Sequence, residues 1–175
     1  MRARLLAVVV TGTARDAMAK DFPRLTPDQT VRQAVRTLLE AGWLSGVVVD
    51  RDGVPLGTFG RRDVLRALSE RTGGFYSEQE LAFALLRGDV FGSDALRRLW
   101  HDSSDAPVES MMGREFPTVT EDTPLETVAR RFAGGETELA AVVRRGRAVG
   151  ALRPHDVLAW VAANRKRGRA LTRPA

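Results

Sequence analysis

The 175-residue sequence contains no cysteine. Disulfides, zinc–thiolate centres and thiol nucleophiles are therefore excluded. Histidine is scarce: His101 and His155 are the only two, and no convincing third ligand accompanies them, so no metal site is expected. A Ser-His-Asp set can be drawn from Ser103, His101 and Asp102, but adjacent residues do not provide a triad's geometry. No phosphate-cradling Gly-x-x-x-x-Gly-Lys-Ser/Thr loop occurs. No apolar run approaches the roughly 20 residues of a membrane span. Leu5–Val10, behind Arg2 and Arg4, is shorter than the apolar region of a signal peptide. These absences predict a cytoplasmic protein with no membrane span, no catalytic constellation and no enzymatic activity.

Charge is unevenly placed. The net charge is +5, and Asn164–Ala175 holds Arg165, Lys166, Arg167, Arg169 and Arg173 with no acid. The remainder carries 22 basic and 22 acidic side chains. A basic nucleic-acid-binding body is thus not expected. The tail is either a solvated terminus or an electrostatic contact for nucleic acid or an acidic partner.

What is present is a repeat. Met18-Ala-Lys-Asp-Phe-Pro-Arg-Leu-Thr-Pro-Asp28 aligns with Met112-Gly-Arg-Glu-Phe-Pro-Thr-Val-Thr-Glu-Asp122 at an offset of 94. The same offset pairs Val48-Val49 with Val142-Val143. After one deletion in the next turn the offset is 93, and Gly57 meets Gly150 while Asp63-Val64-Leu65 meets Asp156-Val157-Leu158. Each copy begins with an extended lead-in through Phe22-Pro23 or Phe116-Pro117. A helix follows, with apolar positions Val31, Ala34, Val35, Leu38 and Leu39, or Leu125, Val128, Ala129 and Phe132. Thr30…Gln33 and Thr123…Glu126 predict capping boxes. Apolar strands at Val47–Val49 and Ala141–Val143 each lead through a Gly-containing turn to a second strand, Val54–Phe59 or Ala148–Leu152. The last helix buries Val64, Leu65 and Leu68, or Val157, Leu158 and Val161. Each unit reads β-α-β-β-α, and neither is large enough to bury much alone, so the two should pack together. Between them, Ser77–Arg87 and Ser93–His101 read as helices rather than a loop. Trp43, Trp100 and Trp160 read as core or interface anchors.

This tandem pattern, strand-Asp-x-x-Gly-strand closing on a Gly and an Asp six residues later, resembles the CBS domain. The resemblance divides the chain into a first domain at 14–69, a helical inter-repeat segment at 70–107, a second domain at 108–163 and a basic tail at 164–175. It implies an α/β (α+β) fold of two β-α-β-β-α units packed through their sheets with pseudo-twofold symmetry, with clefts between them. It also implies a regulatory module (a Bateman module) that forms a homodimer, binds AMP, ADP, ATP or S-adenosylmethionine as a regulatory ligand, and acts on a separate regulated protein. A module with occluded clefts, serving only assembly, is the competing reading.

The family's ligand pattern closes Gly-x-x-Ser/Thr-x-x-Asp, with the Asp on the ribose hydroxyls. Here the stretches are Gly57-Thr-Phe-Gly-Arg-Arg-Asp63 and Gly150-Ala-Leu-Arg-Pro-His-Asp156. Asp63 and Asp156 match, and each also suits a helix start on dipole grounds alone. The hydroxyl positions are Gly60 and Arg153. Arg153 either supplies charge to a phosphate or plugs its own cleft. Arg62 and His155 are candidate phosphate contacts, and exposed charge is the plain alternative. The resemblance places adenine contacts on Phe22, Pro23 and Arg24 with Trp43, Leu44 and Ser45, and in copy two on Phe116, Pro117 and Thr118 with Glu138-Leu139-Ala140. Copy one is the better apolar slot, so one usable site is expected.

Overall fold

The computed structural model describes residues 11–71, 101, 103–135 and 137–164. The expected helix at Ser77–Arg87, all of Ser93–His101 but its last residue, Trp100 and the basic tail lie outside the described residues. Among the described residues no helix is long and apolar enough to cross a membrane.

The elements run in chain order α1 (Ala14–Ala17), β1 (Arg24–Leu25), α2 (Val31–Ala41), β2 (Ser45–Val49), β3 (Pro55–Gly60) and α3 (Arg61–Arg71). After a 3-10 turn at Val108–Ser110 come β4 (Thr118–Thr120), α4 (Leu125–Ala133), β5 (Ala140–Arg144), β6 (Arg147–Leu152) and α5 (Pro154–Ala163). Two three-stranded sheets result, ordered β1-β2-β3 and β4-β5-β6. In each, the first strand is parallel to the second. In the first sheet β3 then returns antiparallel to β2.

The chain divides into two compact units, one of Met1–Lys20, Pro117–Arg145 and Val149–Ala175, the other of Asp21–Phe116 and Gly146–Ala148. Neither coincides with a sequence repeat. The residues leading into each copy are built into the unit holding the other copy's sheet. In the unit containing β4-β5-β6, Ala14 N–H donates to the Thr123 carbonyl at 2.8 Å and Arg15 N–H to the Glu121 carbonyl at 2.9 Å. Ala19 and Ala151 exchange two backbone hydrogen bonds, at 2.9 and 3.0 Å. In the other unit the equivalent residues do the same. Val108 N–H donates to Gln29, Glu109 N–H to Pro27, and Gly113 exchanges two 2.9 Å bonds with Thr58. These contacts account for the paired Gly57 and Gly150. A Cβ on Gly57 would lie 2.6 Å from the Gly113 carbonyl oxygen, and one on Gly150 would lie 2.6 Å from Met18 Sδ.

Local sequence explains most element boundaries. The Thr30 capping box forms: Gln33 N–H donates to Thr30 Oγ1 at 3.2 Å and Thr30 N–H to Gln33 Oε1 at 2.9 Å. The one expected at Thr123 does not form. Thr123 Oγ1 accepts instead from Thr120 N–H at 3.0 Å, a local turn bond that competes with the helix cap. Pro124 takes the cap position, and the Leu125 N–H is satisfied by the Gly12 carbonyl at 3.0 Å. Val31, Ala34 and Leu38 are buried, but Leu39, expected in the core, is exposed, because the inward stripe of α2 is narrower than its apolar pattern. Leu158 is likewise exposed, whereas its counterpart Leu65 is buried.

One core gathers Ala14, Val119, Leu125, Val128, Ala140, Val142, Leu152 and Val157. Full burial of a leucine or valine of this kind is worth about 1.5–3 kcal/mol. Beside it Glu121 is buried and clamped by Arg144, whose Nη2 donates to Oε1 at 2.7 Å while Nε holds Oε2. Arg15 approaches the same carboxylate at 3.5 Å. The Arg144 hydrogen bonds hold the Glu121 carboxyl below its ordinary value. A depressed carboxyl stabilises the fold above its unfolded pKa, about 4.3, and that contribution is lost as pH falls through the lower folded value. Melting temperatures measured from pH 7 to pH 3 should therefore fall more steeply at the acid end for the parent chain than for Glu121→Gln, which starts less stable. Parallel curves would show that the pair is not linked to stability.

Candidate functional site

At the end of β3 the chain passes directly into α3, from Gly60 to Arg61. Asp63, in the first turn of α3, accepts the Gly60 N–H on Oδ2 at 3.0 Å. It thus satisfies one of the donors a helix start leaves over. Its Oδ1 accepts from Arg66 Nη2 at 3.1 Å, and the same nitrogen donates to the Met111 carbonyl at 3.1 Å. The Asp63 backbone N–H also faces the carboxylate, so the roughly four acceptor positions an ionised carboxylate offers are shared among main-chain and guanidinium donors. The Asp63 side chain is 13% exposed. Burial pushes its carboxyl above the ordinary value, and the Gly60 hydrogen bond and Arg66 charge offset this only in part. The sign is opposite to that of Glu121: the ionised Asp63 is a net cost to folding once pH rises through its folded pKa.

Other residues expected in the first site converge on the same sheet end. Ser45 lies opposite Gly60 in the β2–β3 register, and Arg61 N–H donates to the Leu44 carbonyl at 2.9 Å. Leu44 is exposed and Ser45 partly so. A Cβ on Gly60 would sit 2.5 Å from both the Leu44 oxygen and Ser45 Cβ, which explains why glycine stands where the ligand pattern has a hydroxyl residue. One strand over, Arg24 is in register with Val47, and the Pro23 carbonyl accepts the Val47 N–H at 3.1 Å. Phe22 and Pro23 are buried. Arg24 is exposed, with its guanidinium 4.4 Å from the Phe22 ring centre. Arg62 is exposed in the first turn of α3, and Trp43 is buried.

The second copy is arranged differently. Arg153 is the N-cap of α5 in extended backbone, φ −113° and ψ 161°. Asp156 Oδ2 accepts the Arg153 backbone N–H at 2.8 Å and its Nε at 3.0 Å, while Oδ1 accepts Nη2 at 2.8 Å. Three donors from one residue hold this carboxylate, against one each from Gly60 and Arg66 at Asp63. His155 is exposed, and so is Thr118, which lies in register with Ala141. Glu138 is partly buried, and Leu139 and Ala140 are buried.

Sequence reasoning passed over Arg66 as a partner of Asp63, and the pairing of Thr58 with Gly113. Arg66 lies three residues beyond Asp63, an ion-pair spacing on a helix, and was readable in principle. Thr58, bonded to Gly113 from a distant stretch of chain, carried no local signal.

Comparison with known proteins agrees with this architecture. A family model of the CBS domain matches residues 14–70 and 108–163, well over half of the chain. No curated protein matches the chain by sequence. Among solved structures, the CBS-pair protein CBSX2 from Arabidopsis thaliana superposes with a TM-score of 0.67 at 21% identity, over 91% of this chain and 99% of that one. A structure of CBSX2 in complex with AMP gives 0.63 at 22% identity, over 89% and 98%. The CBS domain pair of protein MJ0100, in complex with 5′-methylthioadenosine and S-adenosyl-L-methionine, gives 0.60 at 18%, over 87% and 98%. Protein MJ1004 from Methanocaldococcus jannaschii gives 0.62 at 22%, and the match spans 87% of this chain but 60% of MJ1004.

Proposed function

The chain belongs to the CBS domain family, and from that premise we propose that it is a regulatory module binding one adenosine-containing nucleotide at Asp63. The observation that carries this reading is the Asp63 carboxylate, partly desolvated and held at the start of α3 by the Gly60 N–H on one oxygen and Arg66 on the other. Two adjacent ribose hydroxyls are the donor pair that fits it. Leu44 supplies exposed apolar surface beside Ser45 for a base, and Arg62 supplies charge for a phosphate. The AMP complex of CBSX2 and the S-adenosyl-L-methionine complex of MJ0100 support this ligand class. We further place the module in the cytoplasm, as a homodimer without catalytic activity that acts on a separate protein.

Thermal unfolding with AMP, ADP, ATP or S-adenosylmethionine tests the reading. A ligand at a hundred times its Kd should stabilise the fold by about 2.7 kcal/mol. Asp63→Ala should abolish that response. No response to any of the four, or an undiminished response in Asp63→Ala, would remove the proposal. The assembly-only reading is favoured at the second copy, where Arg153 already occupies Asp156.

A further inference from the structure

We propose that Arg153 is a built-in occupant of the second site, holding the acceptors of Asp156 that a ribose would use, so that the chain binds one nucleotide and not two. The inference rests on the reading of Asp63 as a ribose acceptor. Its own observation is the closed pair at the start of α5. Arg153 brings its backbone N–H, Nε and Nη2 to Asp156 at 2.8, 3.0 and 2.8 Å. The two guanidinium donors approach one on each oxygen, the planar two-point geometry that makes arginine–carboxylate pairs strong. The pair is also sheltered, with side chains 28% and 11% exposed. A ribose using both oxygens there must displace a guanidinium fork that bonds each of them, whereas at Asp63 the guanidinium of Arg66 bonds Oδ1 and the other oxygen takes the Gly60 N–H.

The repeat sharpens the contrast. Arg153 aligns with Gly60, where the fold leaves no space for a Cβ. The second copy holds a full arginine side chain at that position, so a smaller hydroxyl residue fits there. Its extended N-cap backbone is the conformation in which serine and threonine are favoured, so Arg153→Ser keeps the start of α5. The blocked site is therefore one substitution away from the ligand pattern that the first site cannot adopt.

Titration calorimetry of the full chain with AMP tests this. The parent should bind one AMP, lost in Asp63→Ala. Arg153→Ser should bind two; adding Asp63→Ala or Asp156→Ala to it should return one. If the parent binds one AMP at Asp63 and a folded Arg153→Ser still binds one, the blocking role is overturned and the Asp63 reading stands. If the parent binds two, blocking is likewise overturned. If the parent binds none and Arg153→Ser binds one that Asp156→Ala removes, the Asp63 reading fails and blocking stands. Binding by neither overturns both. Arg153→Gly, which repeats the residue of the first copy, gives the same readout should the serine variant not fold.

Discussion

Gly60→Thr is expected to destabilise the unit containing Asp63 by about 1–3 kcal/mol, the usual cost of overpacking a filled site, and to bind AMP no better than the parent chain. Judged from the ligand pattern alone, threonine here should improve a nucleotide site by restoring its hydroxyl. The geometry argues the reverse. Any Cβ would stand 2.5 Å from the Leu44 carbonyl oxygen and from Ser45 Cβ, and 2.7 Å from Ser45 Cα. Two of these atoms are backbone, so no rotamer change relieves the contact. Ser45 is paired with Gly60 across the sheet, and Arg61 N–H is bonded to Leu44, so β2 can move away only by giving up ladder bonds. The Gly60 N–H also fixes Asp63, and a displaced strand end would carry the carboxylate with it. Denaturant unfolding and AMP calorimetry of the variant check both parts. An undiminished stability with tighter AMP binding would show that the strand end yields and that the glycine is not structurally required.

The sequence made the repeat, the order of elements and the two aspartates legible because each leaves a local or periodic trace. The Thr30 box was readable for the same reason: its partners lie three residues apart. What lay beyond reach depends on residues distant in the chain. Nothing in Ala14–Ala19 announces that its backbone bonds go to Thr123, Glu121 and Ala151. Thr123 has the spacing of a cap, yet a turn bond to Thr120 claims its hydroxyl. At Arg153 the sequence left two roles open, phosphate ligand or plug, because spacing does not say where a guanidinium points. The guanidinium lies on Asp156, and the plug is the role proposed for it.

The exchanged lead-ins give the other large effect. A chain lacking everything before Asp21 should lose the cooperative fold of the unit containing β4-β5-β6, although every residue removed precedes the first copy's own sheet. The deletion strips Ala14 from the core formed with Leu125, Leu152 and Val157. It takes away the donors to the Thr123 and Glu121 carbonyls, the acceptor of the Leu125 N–H and both partners of Ala151. Each buried backbone group left without a partner costs about 1–3 kcal/mol. A few such losses consume much of the roughly 5–15 kcal/mol that holds a domain together. Met18 would also be gone from the face of Gly150, and Arg15 from the carboxylate of Glu121. Limited proteolysis with mass spectrometry should therefore show new cleavage within Pro117–Asn164 of the shortened chain. A synthetic peptide spanning Thr11–Lys20, added in trans, should slow it. Cleavage confined to the residues next to the new N-terminus, with Pro117–Asn164 as resistant as before, would mean that the unit closes on its own core and that the exchange is dispensable.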